Sequence, residues 1–251
     1  MTEQTRKLAR PPIIEAVLDI DCDLPPNRGI EALLEPACDC FNQEYPDVKT
    51  RYMFEHEIKT QGDATPETVT RRGLQGYLFR TEDRKQLVQV RSEGFSFNRL
   101  APYSSLDDYL PEIERTWELF RGIAQPIRIG MVKLRYINKL ELPMERNSVN
   151  LETYLKVGPR LPDEEKLVFQ GFLNQHLALE AETRNEVKII LTSQKPENDR
   201  LPVIFDITAA NGELVEPIDW SQVLTKLQSL RRLKNRVFYN TLTPECLLLF
   251  Q

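Results

Sequence analysis

Met131-Val132-Lys133-Leu134-Arg135-Tyr136-Ile137-Asn138-Lys139-Leu140-Glu141-Leu142 is the stretch on which the fold class turns. Val132, Leu134, Tyr136, Asn138, Leu140 and Leu142 fall on one face, with Met131, Lys133, Arg135, Ile137 and Lys139 opposite. A period of two is the signature of a strand, and one wetter face is the mark of antiparallel sheet. Pro126 opens the strand and Pro143 stops it. Nearer the amino terminus, Ile14, Ala16, Leu18 and Ile20 alternate with Glu15, Val17, Asp19 and Asp21 in the same manner.

Working outward from these two strands, each is followed by a similar series. After the Pro25-Pro26-Asn27 break, Ile30, Leu33, Leu34, Ala37, Cys38 and Phe41 recur at helical spacing and predict about four turns. Val48 to Lys59 reads as a strand, 61 to 75 as a loop, and Gly76–Arg80, Gln86–Arg91 and Gly94–Arg99 as an antiparallel meander. Leu106, Tyr109, Leu110, Ile113, Trp117 and Phe120 predict a helix ending near Gly122. The second series comprises a short helix at Leu151–Leu155, strands at Lys166–Glu182, Glu186–Thr192 and Leu201–Thr208, and a long helix. That helix is capped by Asp219, runs through Trp220, Leu224, Leu227, Leu230, Leu233 and Val237, and is followed by an exit turn at Asn240–Pro244. A polar segment 1–11 thus precedes two halves, 12–122 and 123–251, expected to pack as one unit. The predicted class is α+β, with antiparallel sheet, helices on one face and a duplicated strand-helix-strands-helix unit. TATA-binding-protein-like and helix-grip folds share that plan.

The chain has 251 residues, 41% hydrophobic and 28% charged, enough to bury a core without metal or disulfide. Its formal charge of −5, from 38 acidic against 33 basic residues, disfavours nonspecific binding to nucleic acid. No apolar run approaches the roughly 20 residues that span a bilayer, and Met1–Arg10 is polar, so the expectation is a cytoplasmic protein with no membrane partner. Cys22, Cys38, Cys40 and Cys246 are too scattered for a disulfide framework and read as reduced thiols.

No catalytic, cofactor-binding or metal-ligating set emerges. Cys38 and Cys40 lie two apart on a predicted helix, about 200° around it, and cannot easily face one ion. The two histidines, His56 and His176, lack a nucleophile-elbow setting, and His176 reads as a sheet-face residue. Gly73 and Gly76 lack the Lys-Ser/Thr of a P-loop. Asp107 and Asp108, like Asp163 to Glu165, read as solvated caps. Arg99 and Arg135 each sit in or after an apolar strand near Asn98 or Asn138. They could converge on an anion across the sheet; the preferred arrangement pairs each with an internal carboxylate, Glu15 being a candidate, and ties the halves together. Arg231, Arg232, Lys234 and Arg236 form the densest basic run, placed at the carboxyl end of the last helix where the dipole favours cations.

Pro11-Pro12-Ile13-Ile14-Glu15-Ala16, Phe97-Asn98-Arg99 with Pro102-Tyr103, Arg135-Tyr136-Ile137-Asn138 and Phe238-Tyr239-Asn240-Thr241-Leu242-Thr243-Pro244-Glu245 occur in that order. Together they resemble a sporadically distributed bacterial family of about this chain length with no assigned function. The resemblance implies a bacterial, patchily occurring gene of the mobile or defence-associated kind. It carries over no catalytic residue. Glu15, Arg99, Tyr103, Arg135, Tyr136 and Asn138 are the candidate binding or structural residues. The leading expectation is a non-enzymatic protein-interaction module, compatible with a homo-oligomer. The alternatives are a helix-grip-like binder of a small molecule or lipid, with Trp220–Val237 set against Phe169, Phe172 and Phe205, and a nucleic-acid binder using a curved sheet.

Overall fold

Strand propensity and one-sided burial are satisfied together in the computed structural model, which describes residues 8–59, 67–146, 148–163, 166–167 and 170–251. The alternating stretch quoted above lies within β6 (Arg128–Pro143), and the amino-terminal one within β1 (Ile13–Asp23). The other strands are β2 (Asp47–Lys59), β3 (Glu67–Arg80), β4 (Gln86–Arg91), β5 (Gly94–Leu100), β7 (Leu173–Leu179), β8 (Glu186–Ser193) and β9 (Arg200–Asn211). All pairings are antiparallel, in the order β2-β3-β4-β5-β1-β6-β9-β8-β7. The protein is α+β. Because β1 pairs with both β5 and β6, residues 12–122 and 123–251 share one sheet. From that seam the order runs β1-β5-β4-β3-β2 on one side and β6-β9-β8-β7 on the other.

The register sorts the two faces. Ala16, Leu18 and Ile20 lie beside Arg99, Phe97 and Phe95 on β5 and beside Tyr136, Leu134 and Val132 on β6. Helices cover this face: α2 (Leu106–Ala124) over the first side and α4 (Trp220–Thr241) over β6 and β9. Trp117 and Phe120 of α2 meet Phe95 with ring centroids 5.8 and 5.6 Å apart, and Phe238 of α4 stacks on Phe205 at 5.8 Å. Each such side chain contributes roughly 1.5–3 kcal/mol on leaving water. At the β4–β5 turn, Gly94 has φ +134°, and a Cβ there would lie 2.2 Å from the Ile20 carbonyl oxygen, so only glycine lets β5 close onto β1.

Several boundaries differ from the sequence reading. The first helix is a 3-10 turn, Ile30–Leu33, continued by α1 (Leu34–Phe41), about three turns rather than four. Within the expected loop 61–75, residues from Glu67 onward belong to β3; Glu67-Thr68-Val69-Thr70-Arg71-Arg72 pairs with β2 without the apolar alternation that reveals a one-sided strand. Among the described residues of the strand expected over Lys166–Glu182, Leu173–Leu179 are strand, and Glu180 N–H donates to the Asn185 carbonyl to close the next turn. The exit turn at Asn240–Pro244 is partly helix: α4 continues to Thr241 because buried Phe238 and Thr241 extend the stripe of Leu227, Leu230 and Leu233. Then α5 (Pro244–Leu248), with Pro at its start and Thr243 as N-cap, packs against α3 (Leu151–Tyr154).

Candidate functional site

On the face away from the helices, polar side chains consume one another. Arg91 of β4 donates to Asp21 at 2.8 Å, and Lys133 of β6 binds the other oxygen of the same carboxylate. Ser96 donates to Asp19. Gln89 Nε2 donates to Asn98 Oδ1 at 2.9 Å, and Asn98 Nδ2 donates to Glu15 Oε1 at 2.7 Å. Arg135 grips Asp206 of β9 with Nη2 at 2.5 Å and Nε at 3.0 Å, a bidentate geometry that holds its guanidinium above the ordinary arginine range through hydrogen bonding to that carboxylate. Arg135 therefore does not pair with Glu15, and it joins β6 to β9 rather than the two halves. Asp21, shared by Arg91 and Lys133, bridges the seam instead. Because Asn98 satisfies two partners, Asn98→Ala leaves Gln89 and Glu15 wanting and should cost about 1–3 kcal/mol, read as a lower midpoint in urea with unchanged m.

The other sequence candidates collect on the helix-covered face. Arg99 lies over the Tyr109 ring at 5.1 Å, with its Nε buried and unbonded. The Tyr103 and Tyr136 hydroxyls are 2.7 Å apart. Lys234 Nζ sits 3.9 Å above the Tyr136 ring, and Arg231 donates to Asp107 at 2.7 Å. Buried Asn138 donates to the Phe205 carbonyl at 2.9 Å. Burial, with the nearby Arg231 guanidinium, pushes the Lys234 ammonium down to about 7; burial also pushes Tyr136 up to about 12 and raises the Tyr103 phenol. Arg99 and Arg135 thus face opposite sides of the sheet and cannot converge on one anion. The cavity bounded by Arg99, Tyr103, Tyr109 and Tyr136 has a volume of about 10 Å³, the size of one water and too small for an organic ligand.

The basic run is not a free cationic patch. Arg231 is taken by Asp107, the exposed Arg236 is paired with Glu180, and Lys234 lies on Tyr136, while Arg232 is exposed. The run also stops five residues short of Thr241, and the last turn of α4 has no basic side chain, so the dipole does not explain its placement. Between α4 and the sheet, Phe205, Leu227, Leu230 and Leu233 are buried in contact. Phe169, Glu164 and Glu165, and the side chain of His56, lie outside the described residues. Among the described residues, no three His, Cys, Asp or Glu side chains converge on a point that an ion could occupy. Burial pushes the Cys22 and Cys246 thiols up to about 12, which makes them packing groups rather than nucleophiles.

Alternation in sequence does not distinguish an edge strand from an inner one. β7, Leu-Asn-Gln-His-Leu-Ala-Leu, is an edge strand, and among the described residues no strand pairs with its outer side. Leu173, Leu177 and Leu179 are 71%, 73% and 57% exposed. The register places them beside Thr192, Lys188 and Glu186, on the face without helices, while Asn174, His176 and Ala178 share the side of Leu191, Ile189 and Val187. Edge strands are ordinarily protected by charge, proline or bulges. The opposite edge, β2, conforms, with Asp47, Lys49 and Arg51. β7 has no charge, no proline and no glycine.

No protein-family model matches this chain, and no curated protein matches it. Fold and site define an α+β protein with helices over one face, an ion-paired opposite face and an apolar edge that no described strand covers. None of its described helices is long and apolar enough to cross a membrane.

Proposed function

We propose that this protein is a non-enzymatic protein-interaction module that receives a strand of its partner along β7. The observation that carries the reading is the combination, on one edge, of three solvent-exposed leucines on a single face with an outer side that no described strand pairs. Strand addition satisfies the backbone through main-chain hydrogen bonds and draws its specificity from alternate side chains, and a leucine row with no charge supplies the apolar half of such a contact. The ion-paired open face and the packed helix layer provide a rigid frame for that edge.

A photo-crosslinking amino acid at position 177 tests this in the protein's own host cell, with the same group at exposed Glu82 as control. A discrete adduct from position 177 that is absent from position 82, and that disappears when Leu173 is changed to Lys in the same chain, is the expected result. Equal labelling from both positions, or none from 177, overturns the proposal.

A further inference from the structure

The geometry points to a second copy of this chain as the occupant of β7, the two strands pairing antiparallel about a twofold axis through His176. The inference rests on the reading of β7 as the partner-binding edge and adds the identity of the partner.

The backbone sets the phase. Phe172 and Glu180 direct their main-chain groups toward β8, where the Phe172 carbonyl accepts from Ser193 N–H and Glu180 N–H donates to Asn185. Pairing alternates along a strand, so Leu173, Gln175, Leu177 and Leu179 turn their N–H and C=O outward. In one antiparallel register every outward residue of one copy faces an outward residue of the other across all seven positions: Leu173 against Leu179, Gln175 against Leu177, and their reciprocals. Each facing pair exchanges two backbone hydrogen bonds. His176 then faces its own counterpart in a non-hydrogen-bonded pair, where Cα atoms are about 4.5 Å apart.

Side-chain chemistry selects the copy over an unrelated strand. The strand has no Asp, Glu, Lys or Arg, so self-pairing sets no carboxylate against carboxylate and no ammonium or guanidinium against another, and Leu173 meets Leu179 on the same face while Leu177 lies opposite Gln175. A twofold axis perpendicular to the sheet keeps both helix layers on one side and both open faces on the other. The leucines of the two copies come together on one face, with Gln175 of each copy among them, and the nine-stranded sheet of each copy becomes half of a continuous one.

Sedimentation of the purified full chain over about a hundredfold range of concentration should show a reversible dimer, since association follows mass action. Leu177→Lys, at a site already exposed in the monomer, should weaken the dimer at least tenfold while leaving the thermal midpoint of the monomer unchanged. Under mild oxidation His176→Cys should form a disulfide-linked dimer in excess of the parent protein, and Glu82→Cys should not. A chain that stays monomeric throughout, and whose His176→Cys variant gives no disulfide-linked dimer, overturns the inference, as does a dimer indifferent to Leu177→Lys. If the purified chain is monomeric while position 177 is still labelled in the cell by a different protein, self-pairing fails and the partner-binding edge stands. If both experiments are negative, both readings fall.

Discussion

Lys234→Met should make the protein more stable at pH 7 by about 2–3 kcal/mol, raising the thermal midpoint by roughly 4–10 °C for a chain of this size. The lysine is held over the Tyr136 ring with Arg231 close by, and burial lowers its ammonium to about 7. An unfolded lysine titrates near 10.4. Between these values the unfolded chain holds a proton that the folded one has lost, so the lysine's contribution makes stability rise with pH by up to about 1.4 kcal/mol per unit. Below about pH 7 both states are protonated and the whole desolvation penalty is present; above about 10.4 it is gone. Methionine matches the stem and removes the ammonium, at the cost of its attraction to the Tyr136 ring, worth about 1–2 kcal/mol when desolvated. The advantage of the variant should therefore be greatest at about pH 6.5–7 and shrink steadily toward about pH 9. The raised thiols of Cys22 and Cys246 affect parent and variant equally and cancel in the difference. Urea unfolding of both proteins at several pH values in that interval decides the matter, and a difference that does not change with pH would show that Lys234 is not desolvated.

The second large effect lies on the opposite face of the sheet. Arg135→Met should destabilise the protein by about 2–3 kcal/mol at pH 7, because Asp206, only 7% exposed, loses its bidentate partner. The lower part of the range usual for broken buried pairs applies because the Arg135 side chain is 43% exposed, so water screens part of the interaction. That same exposure makes the pair asymmetric. Asp206→Ala leaves an arginine that can turn to solvent, and should cost about 1 kcal/mol. Replacing both residues, Arg135→Met with Asp206→Leu, should recover most of the loss from the arginine change alone, since no charge is then left buried without a partner. Equal costs for the two single variants, or a double variant as unstable as their sum, would contradict a pair held by burial of the carboxylate.

Much of the architecture was legible because one-sided burial is written locally. Residues two apart in β1 and β6 must share a face, so the alternation around Leu134 and Leu18 marked half-buried antiparallel strands, and the stripes through Trp117 and Leu230 marked the covering helices. Reading failed where that signal was missing or overridden. The residues of β3 beyond Glu67 pair with β2 without apolar alternation, and α4 passes through Asn240 because Phe238 and Thr241 are buried by their neighbours. Arg99, Tyr103, Tyr136, Arg231 and Lys234 were all noted as candidates, yet their meeting beneath α2 and α4 joins residues far apart in the chain.

By itself, then, the amino-acid sequence determined the α+β class, the principal strands and the long helices, since each follows from short-range periodicity. Only the tertiary structure decided that Arg99 and Arg135 face opposite sides, that Asp206 rather than Glu15 receives Arg135, and that β7 lies at an edge. In β7 the contrast is sharpest: leucines alternating with Asn174 and His176 would ordinarily point to the core, but pairing with β8 turns them to the open face. Alternation states which residues share a side of a strand. Register and the order of strands, set by contacts distant in sequence, decide what lies on that side.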